Sequence, residues 1–299
     1  MMNIADRTDD TSTARRWVSP LGQGGLAADG AGTGRVDLRR VGRKTTITRI
    51  RACNPLKLLA PRREDQSAWI IASSFGGGLV SGDRIDLSVN LGSGASAYMG
   101  TQASTKIYRS SQGQGASQAM RVTIDHEGLL VLAPDPVTCY RDAAYDQSQR
   151  FDLVGSASLV LLDWLTAGRI ASGERWTMRR YRCQNDVYID GDHVYADATL
   201  LSDTFGPIDA MFRVGPYNCL ATMVVVGNRL KGIARQFVDD VEAIPLGDNL
   251  PMISSASEFD GGTVVRVAST STSSVKGFLQ NRIRQLADVL GEDPWARKW

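Results

Sequence analysis

Asp83-Arg84-Ile85-Asp86-Leu87-Ser88-Val89-Asn90-Leu91 alternates polar and apolar residues from Arg84 to its end. Successive side chains of a strand point to opposite faces, so Ile85, Leu87, Val89 and Leu91 share one face while Asp86, Ser88 and Asn90 share the other. The segment predicts a half-buried strand, closed by Gly92-Ser93-Gly94 as a turn.

The same signal recurs on both sides. Thr46-Ile47-Thr48-Arg49-Ile50-Arg51, residues 69–72, and Met120, Val122 and Ile124 read as strands. Residues 129–132 are a short apolar run that Pro134-Asp135-Pro136 breaks. Residues 158–165 fit a buried strand or a helix segment, and the β-rich neighbours favour a strand. Asp190-Gly191-Asp192 between Val187-Tyr188-Ile189 and Val194-Tyr195 predicts a hairpin, and residues 223–226 and 264–267 continue the β pattern.

Two helices are expected near the carboxyl end. One covers residues 231–243, with Ile233, Phe237 and Val241 on one stripe. The other starts at Ser273 or Ser274 as cap, carries Val275, Leu279, Ile283, Leu286 and Leu290 on one face, and ends at Gly291. The fold class is therefore mostly β with two α-helices near the C-terminus. No alternating βαβ pattern and no internal repeat of fixed period is visible.

Residues 1–34, rich in Gly, Ala, Thr and Asp, read as a disordered or mobile tail, and residues 35–299 as a single β-rich unit. The chain of 299 residues is 42% hydrophobic, long enough to bury a sizeable core. Its net charge of +2 argues against nucleic acid or an anionic membrane as partner. The polar amino terminus lacks a secretory core, and no run approaches the ~18 apolar residues of a membrane span. Cys53, Cys139, Cys183 and Cys219 lie far apart, without a CxxC pair, and read as reduced thiols. These features predict a cytoplasmic protein.

The chemistry-bearing motifs are few. Phe75-Gly76-Gly77-Gly78-Leu79-Val80-Ser81-Gly82-Asp83-Arg84 fits a structural turn or a ligand loop; it lacks the Lys-Ser/Thr of a P-loop and leads into a strand where GxGxxG would open a helix. Gly100-Thr101-Gln102-Ala103-Ser104-Thr105-Lys106-Ile107-Tyr108-Arg109-Ser110 concentrates hydroxyl and amide groups suited to a polar interior or interface, or to an exposed strand. His126 and His193 are the only histidines, so no nitrogen and sulfur metal cluster is written in the sequence. There is no GxSxG elbow, and Asp163 with Glu174 is the one tempting carboxylate pair.

Four blocks in one order resemble the UreD (UreH) family of urease accessory proteins: Gly77-Gly78-Leu79-Val80-Ser81-Gly82-Asp83, the stretch from Thr101 through Thr105, Lys106 and Arg109 to Ser110, Pro134-Asp135-Pro136-Val137, and Leu165-Thr166-Ala167-Gly168-Arg169-Ile170-Ala171-Ser172-Gly173-Glu174. Pro134-Asp135-Pro136-Val137-Thr138-Cys139-Tyr140 with Ser158-Leu159-Val160-Leu161-Leu162-Asp163-Trp164 looks closest to the eukaryotic branch. Gly100 and Ile107 are small departures, standing where the family more usually has Thr and Val.

The resemblance implies stacked β-sheets with two helices and a non-catalytic scaffold. It also implies a complex with UreF, the GTPase UreG and apo-urease, on a route that brings nickel to the urease active site. No tightly bound cofactor is implied; nickel is in transit. A transit path should hold the ion weakly, through oxygen ligands and water. Asp83, Asp163, Glu174 and the Thr101-Gln102 pair are the candidate path residues. The open face of the last helix, with Lys276, Arg282 and Arg284, is the candidate partner interface. The alternatives are a β-sheet hydrolase using Asp163 and Glu174, or a β-rich binding module unrelated to nickel.

Overall fold

The Ile85, Leu87, Val89 and Leu91 face is buried, as the alternation requires, and it faces a second sheet. The computed structural model describes residues 30–62, 66–111, 113–245, 247 and 250–296. In chain order these form β1 (Thr33–Val41), β2 (Lys44–Ala52), β3 (Leu56–Leu59), β4 (Ala68–Ser74), β5 (Arg84–Leu91), β6 (Ser96–Thr101), β7 (Thr105–Ile107), β8 (Ala116–Ile124), β9 (Leu129–Leu132), β10 (Val137–Cys139), β11 (Ala144–Leu153), β12 (Ser158–Thr166), β13 (Arg180–Ile189), β14 (Asp192–Ser202), β15 (Cys219–Val226), α1 (Lys231–Glu242), β16 (Met252–Phe259), β17 (Gly262–Ser269), α2 (Thr272–Arg284) and α3 (Ala287–Leu290).

Two sheets result. One has the order β14-β13-β11-β8-β5-β1-β2, and the other β16-β17-β15-β12-β9-β6-β4-β3, with β10 and β7 added beside β12. From β4 to β13 the chain passes back and forth between the sheets. Neighbours within each sheet are consequently parallel, as in β5 with β8, β8 with β11, β4 with β6 and β9 with β12. Parallel neighbours need a long crossover, normally a helix. Here a strand of the facing sheet fills that role, and Gly92-Ser93-Gly94 is an arch from one sheet to the other.

The β12 assignment for residues 158–166 follows from burial on both faces. The sheet containing β12 is covered inside by the other sheet and outside by α1 and α2, so its strands read as nearly unbroken apolar runs. Phe237, Val241, Val275, Leu279, Ile283 and Leu290 supply the outer cover, and Trp295 is locked beneath them by donating Nε1–H to Tyr98 Oη at 3.2 Å. The predicted hairpin is present: β13 and β14 pair antiparallel, with Ile189 opposite Asp192 and both Asp190 and Gly191 at positive φ.

Three expectations need correction. Thr33 and Gly34, assigned to the tail, already pair within β1, while residues 1–29 of that tail lie outside the described residues. The last helix is capped by Ser271, whose Oγ accepts from Ser274 N at 3.3 Å, and not by Ser273 or Ser274. It is also interrupted at Gln285 and Leu286, before α3 ends at a left-handed Gly291.

Candidate functional site

The four sequence blocks meet at one end of the sandwich. Leu79 bridges Ile107 in parallel, with Leu79 N donating to Lys106 O at 2.8 Å. Gly78 makes this possible, because a Cβ there would stand 2.6 Å from Lys106 O and from the Tyr108 ring. Thr105 N donates to Pro136 O, and Asp135 N and Oδ2 both bond Thr101 Oγ1. β10 then pairs with β7 on one side and β12 on the other. Gly168, at φ 110, lets the chain pass within 3.1 Å of Cys139 O and Glu174 O, measured from where a Cβ would be.

Behind this end lies a cavity of about 410 Å³ between the sheets, with Thr101, Gln102, Lys106, Gln118, Gln147 and Asp163 among its walls. A second cavity of about 340 Å³ opens toward the edge strands β14 and β16, lined by Tyr181, Asp197, Ser254, Arg266 and again Asp163. Asp163 and Trp164 are in the walls of both. Asp163 projects inward from β12. Its Oδ2 accepts from Cys183 Sγ at 2.8 Å and from Asn185 Nδ2 at 2.9 Å, and its Oδ1 from Gln147 Nε2 at 3.4 Å. Gln149 Nε2 in turn donates to Asn185 Oδ1 at 2.8 Å.

Burial pushes the Asp163 carboxyl above the usual carboxylate range, and Asp197 adds to it; the donated hydrogen bonds oppose the shift. Burial, together with the adjacent Asp163, pushes the Cys183 thiol well up, so it stays protonated and donates. Polar groups in a core must be hydrogen-bonded, and this network is.

The structure separates the three candidate carboxylates. Asp83 Oδ2 accepts Val80 N at 2.8 Å and closes the glycine turn. Glu174 is buried against Arg169, whose Nε donates to Oε2 at 2.9 Å and whose Nη2 bonds Oε1, while Arg141 N reaches Oε2 at 3.3 Å. The Arg169 hydrogen bond holds its carboxyl below the usual glutamate range. Neither Asp83 nor Glu174 is among the walls of these two cavities, and Asp163 and Glu174 share no hydrogen-bond partner.

Arg282 is not on an open helix face. It is 5% exposed, stacks on the Phe278 ring at 3.6 Å and donates to Phe278 O. Arg284 is exposed and paired with Asp293 at 3.3 Å. Among the described residues no group of three or more His, Cys, Asp and Glu side chains is arranged to hold a metal, and none of the four cysteines forms a disulfide. No helix among the described residues is long and apolar enough to cross a membrane.

Sequence reasoning missed Gln147, Gln149, Cys183 and Asn185. Their signal was present: Gln147 and Gln149 occupy the inward positions of an alternation whose other members are Tyr145, Phe151 and Leu153.

The UreD urease accessory protein family model matches residues 30–299. The chain belongs to the UreD family. A UreD urease accessory protein from Anaeromyxobacter sp. (strain Fw109-5) is 43% identical over 267 residues, covering 89% of each chain. One from Sorangium cellulosum (strain So ce56) is 42% identical, over 90% of this chain and 85% of its own. Urease accessory protein D of Arabidopsis thaliana is 35% identical, over 88% of this chain and 99% of its own. Identity to these two bacterial UreD proteins exceeds that to the plant one.

Proposed function

We propose that the chain serves urease maturation by bringing nickel to apo-urease, as a non-catalytic scaffold working in the cytoplasm with UreF and the GTPase UreG. Family membership supports the link to urease. The observation that carries the nickel part is Asp163, which stands in the walls of both interior cavities. A route along them runs from Thr101 with its partner Asp135, past Gln102 and Gln147, to Asp163, with Asp197 beyond it in the second cavity. Oxygen ligands and water hold nickel weakly enough to release it, whereas a set of thiolates and imidazoles would trap it. The raised Cys183 pKa makes displacement of its proton by nickel costlier, which weakens the sulfur as a ligand. Nickel is cargo on this reading. Asp83 and Glu174, both committed to the turn and to Arg169, drop out of the path.

The test is complementation of cells lacking this protein, with urease activity and nickel per urease both measured. Asp163→Ala is expected to lower both while still co-purifying with UreF. Full nickel content with Asp163→Ala would remove the path. Normal urease in cells without the chain would remove the maturation role itself.

A further inference from the structure

Three arginines follow the ends of three neighbouring strands, Arg109 two residues past β7, Arg141 two past β10 and Arg169 three past β12. Thr138 of β10 is in register with Lys106 of β7 and with Thr166 of β12, and all three strands run parallel. Counting three residues past that shared register gives Arg109, Arg141 and Arg169. The row just before them is Tyr108, Tyr140 and Gly168. Tyr108 meets Tyr140 edge to face at 5.3 Å, and the Arg169 guanidinium lies 4.4 Å over the Tyr140 ring. The Tyr140 ring, itself packed against Tyr108, therefore supports Arg169 from below.

All three side chains reach solvent, at 79%, 58% and 47% exposure. Only Arg169 is fully engaged, by the buried Glu174. Arg109 lies 3.7 Å from Asp142, and Arg141 lies 3.9 Å from Glu174, both too long for a hydrogen bond. Three cations face two carboxylates, so the row keeps a positive surplus. Val80 is exposed at the β7 side of the row and Ile170 just past Arg169.

We infer that this row is a docking surface for an acidic helix of a partner protein. Adjacent strands stand about 4.8 Å apart, and neighbouring residues on one helix face about 5–6 Å apart. Glutamates at i, i+4 and i+7 of a helix lying across these strand ends can therefore reach Arg109 and Arg141, while Arg169 stays with Glu174. Guanidinium forks suit carboxylates in such pairs. The exposed Val80 and Ile170 favour a protein surface, with apolar residues beside its carboxylates, over a phosphate backbone. Binding at this surface does not depend on the nickel reading. Its place beside the first cavity does: a row of cations repels free nickel, so on that reading metal enters from a docked, acidic carrier rather than from solution.

The experiment uses the full-length protein and a labelled helical peptide with glutamates at i, i+4 and i+7 flanked by two leucines, followed by fluorescence anisotropy. A peptide of the same composition with its glutamates spread around the helix is the control, and a single-stranded oligonucleotide is the phosphate arm. The aligned peptide is expected to bind more tightly than both, with affinity falling as salt rises. R109Q/R141Q should weaken it at least about tenfold, and R49Q, an exposed arginine on β2, should leave it unchanged. Circular dichroism and thermal melting establish that the variants are folded. The inference is overturned by equal binding of the spread peptide, by tighter binding of the oligonucleotide, by R109Q/R141Q with parental affinity, or by equal loss in R49Q. Because no urease is in the tube, failure here leaves the maturation test standing.

Discussion

Cys183 Sγ donates a hydrogen bond to Asp163 Oδ2 at 2.8 Å, joining β13 of one sheet to β12 of the other across the sandwich interior. The pair fixes an ionisable group where the two cavities meet. Both groups have their pKa raised, chiefly by burial, so each holds its proton to higher pH than it would in water.

The raised Asp163 pKa has a signed consequence for stability. Between the ordinary carboxylate range and the raised value, the folded state binds more protons than the unfolded one. Stability contributed by this group is therefore full below the ordinary range and declines as pH rises through the raised value. Asp163→Asn should flatten that decline, measured as urea midpoints from about pH 5 to about pH 8. Parallel profiles for parent and variant would mean that Asp163 titrates normally.

Glu174 carries the opposite sign. Its pKa is lowered, first by the Arg169 hydrogen bond, so its contribution is present above the ordinary glutamate range and lost as pH falls through the lowered value. Glu174→Gln should lose stability at neutral pH and converge on the parent in acid. Arg169 is 47% exposed and is solvated once its partner is neutral, so the neutral-pH loss should be modest, read as a lower urea midpoint than the parent's. A neutral-pH loss that persists in acid would assign the effect to packing instead.

Arg282 and Arg284 should differ although they are two residues apart. Arg282→Ala empties a buried site against Phe278 and should cost about 1–3 kcal/mol by denaturant unfolding. Arg284→Ala touches an exposed pair with Asp293 and should stay within about 0.5 kcal/mol. Equal effects would contradict the burial that separates them.

Much of the β-content was legible because side-chain alternation is a local property. Burial at every second position from Ile85 to Leu91 and the Asp190-Gly191 turn depend on residues next to one another in sequence. The helix cap was misplaced by two or three residues because Ser271, Ser273 and Ser274 carry the same capping hydroxyl, and only the backbone angle at Ser271 selects among them. The order of the four motif blocks was likewise enough to indicate the family.

Parallel pairing was not legible. A period of two is the same whether a neighbouring strand runs with or against the chain, so alternation in β5 and β8 carries no direction. The choice between Asp83, Asp163 and Glu174 was equally hidden, since each is a carboxylate beside apolar or glycine-rich sequence. The sequence by itself determined which segments become strands and to which family the chain belongs. Tertiary structure alone decided that the strands coil between two sheets, that Asp163 faces the interior while Glu174 is held by Arg169, and that Arg109, Arg141 and Arg169 come at the ends of three neighbouring strands. Those relations join residues far apart in the chain, and only the register of the sheets brings them together.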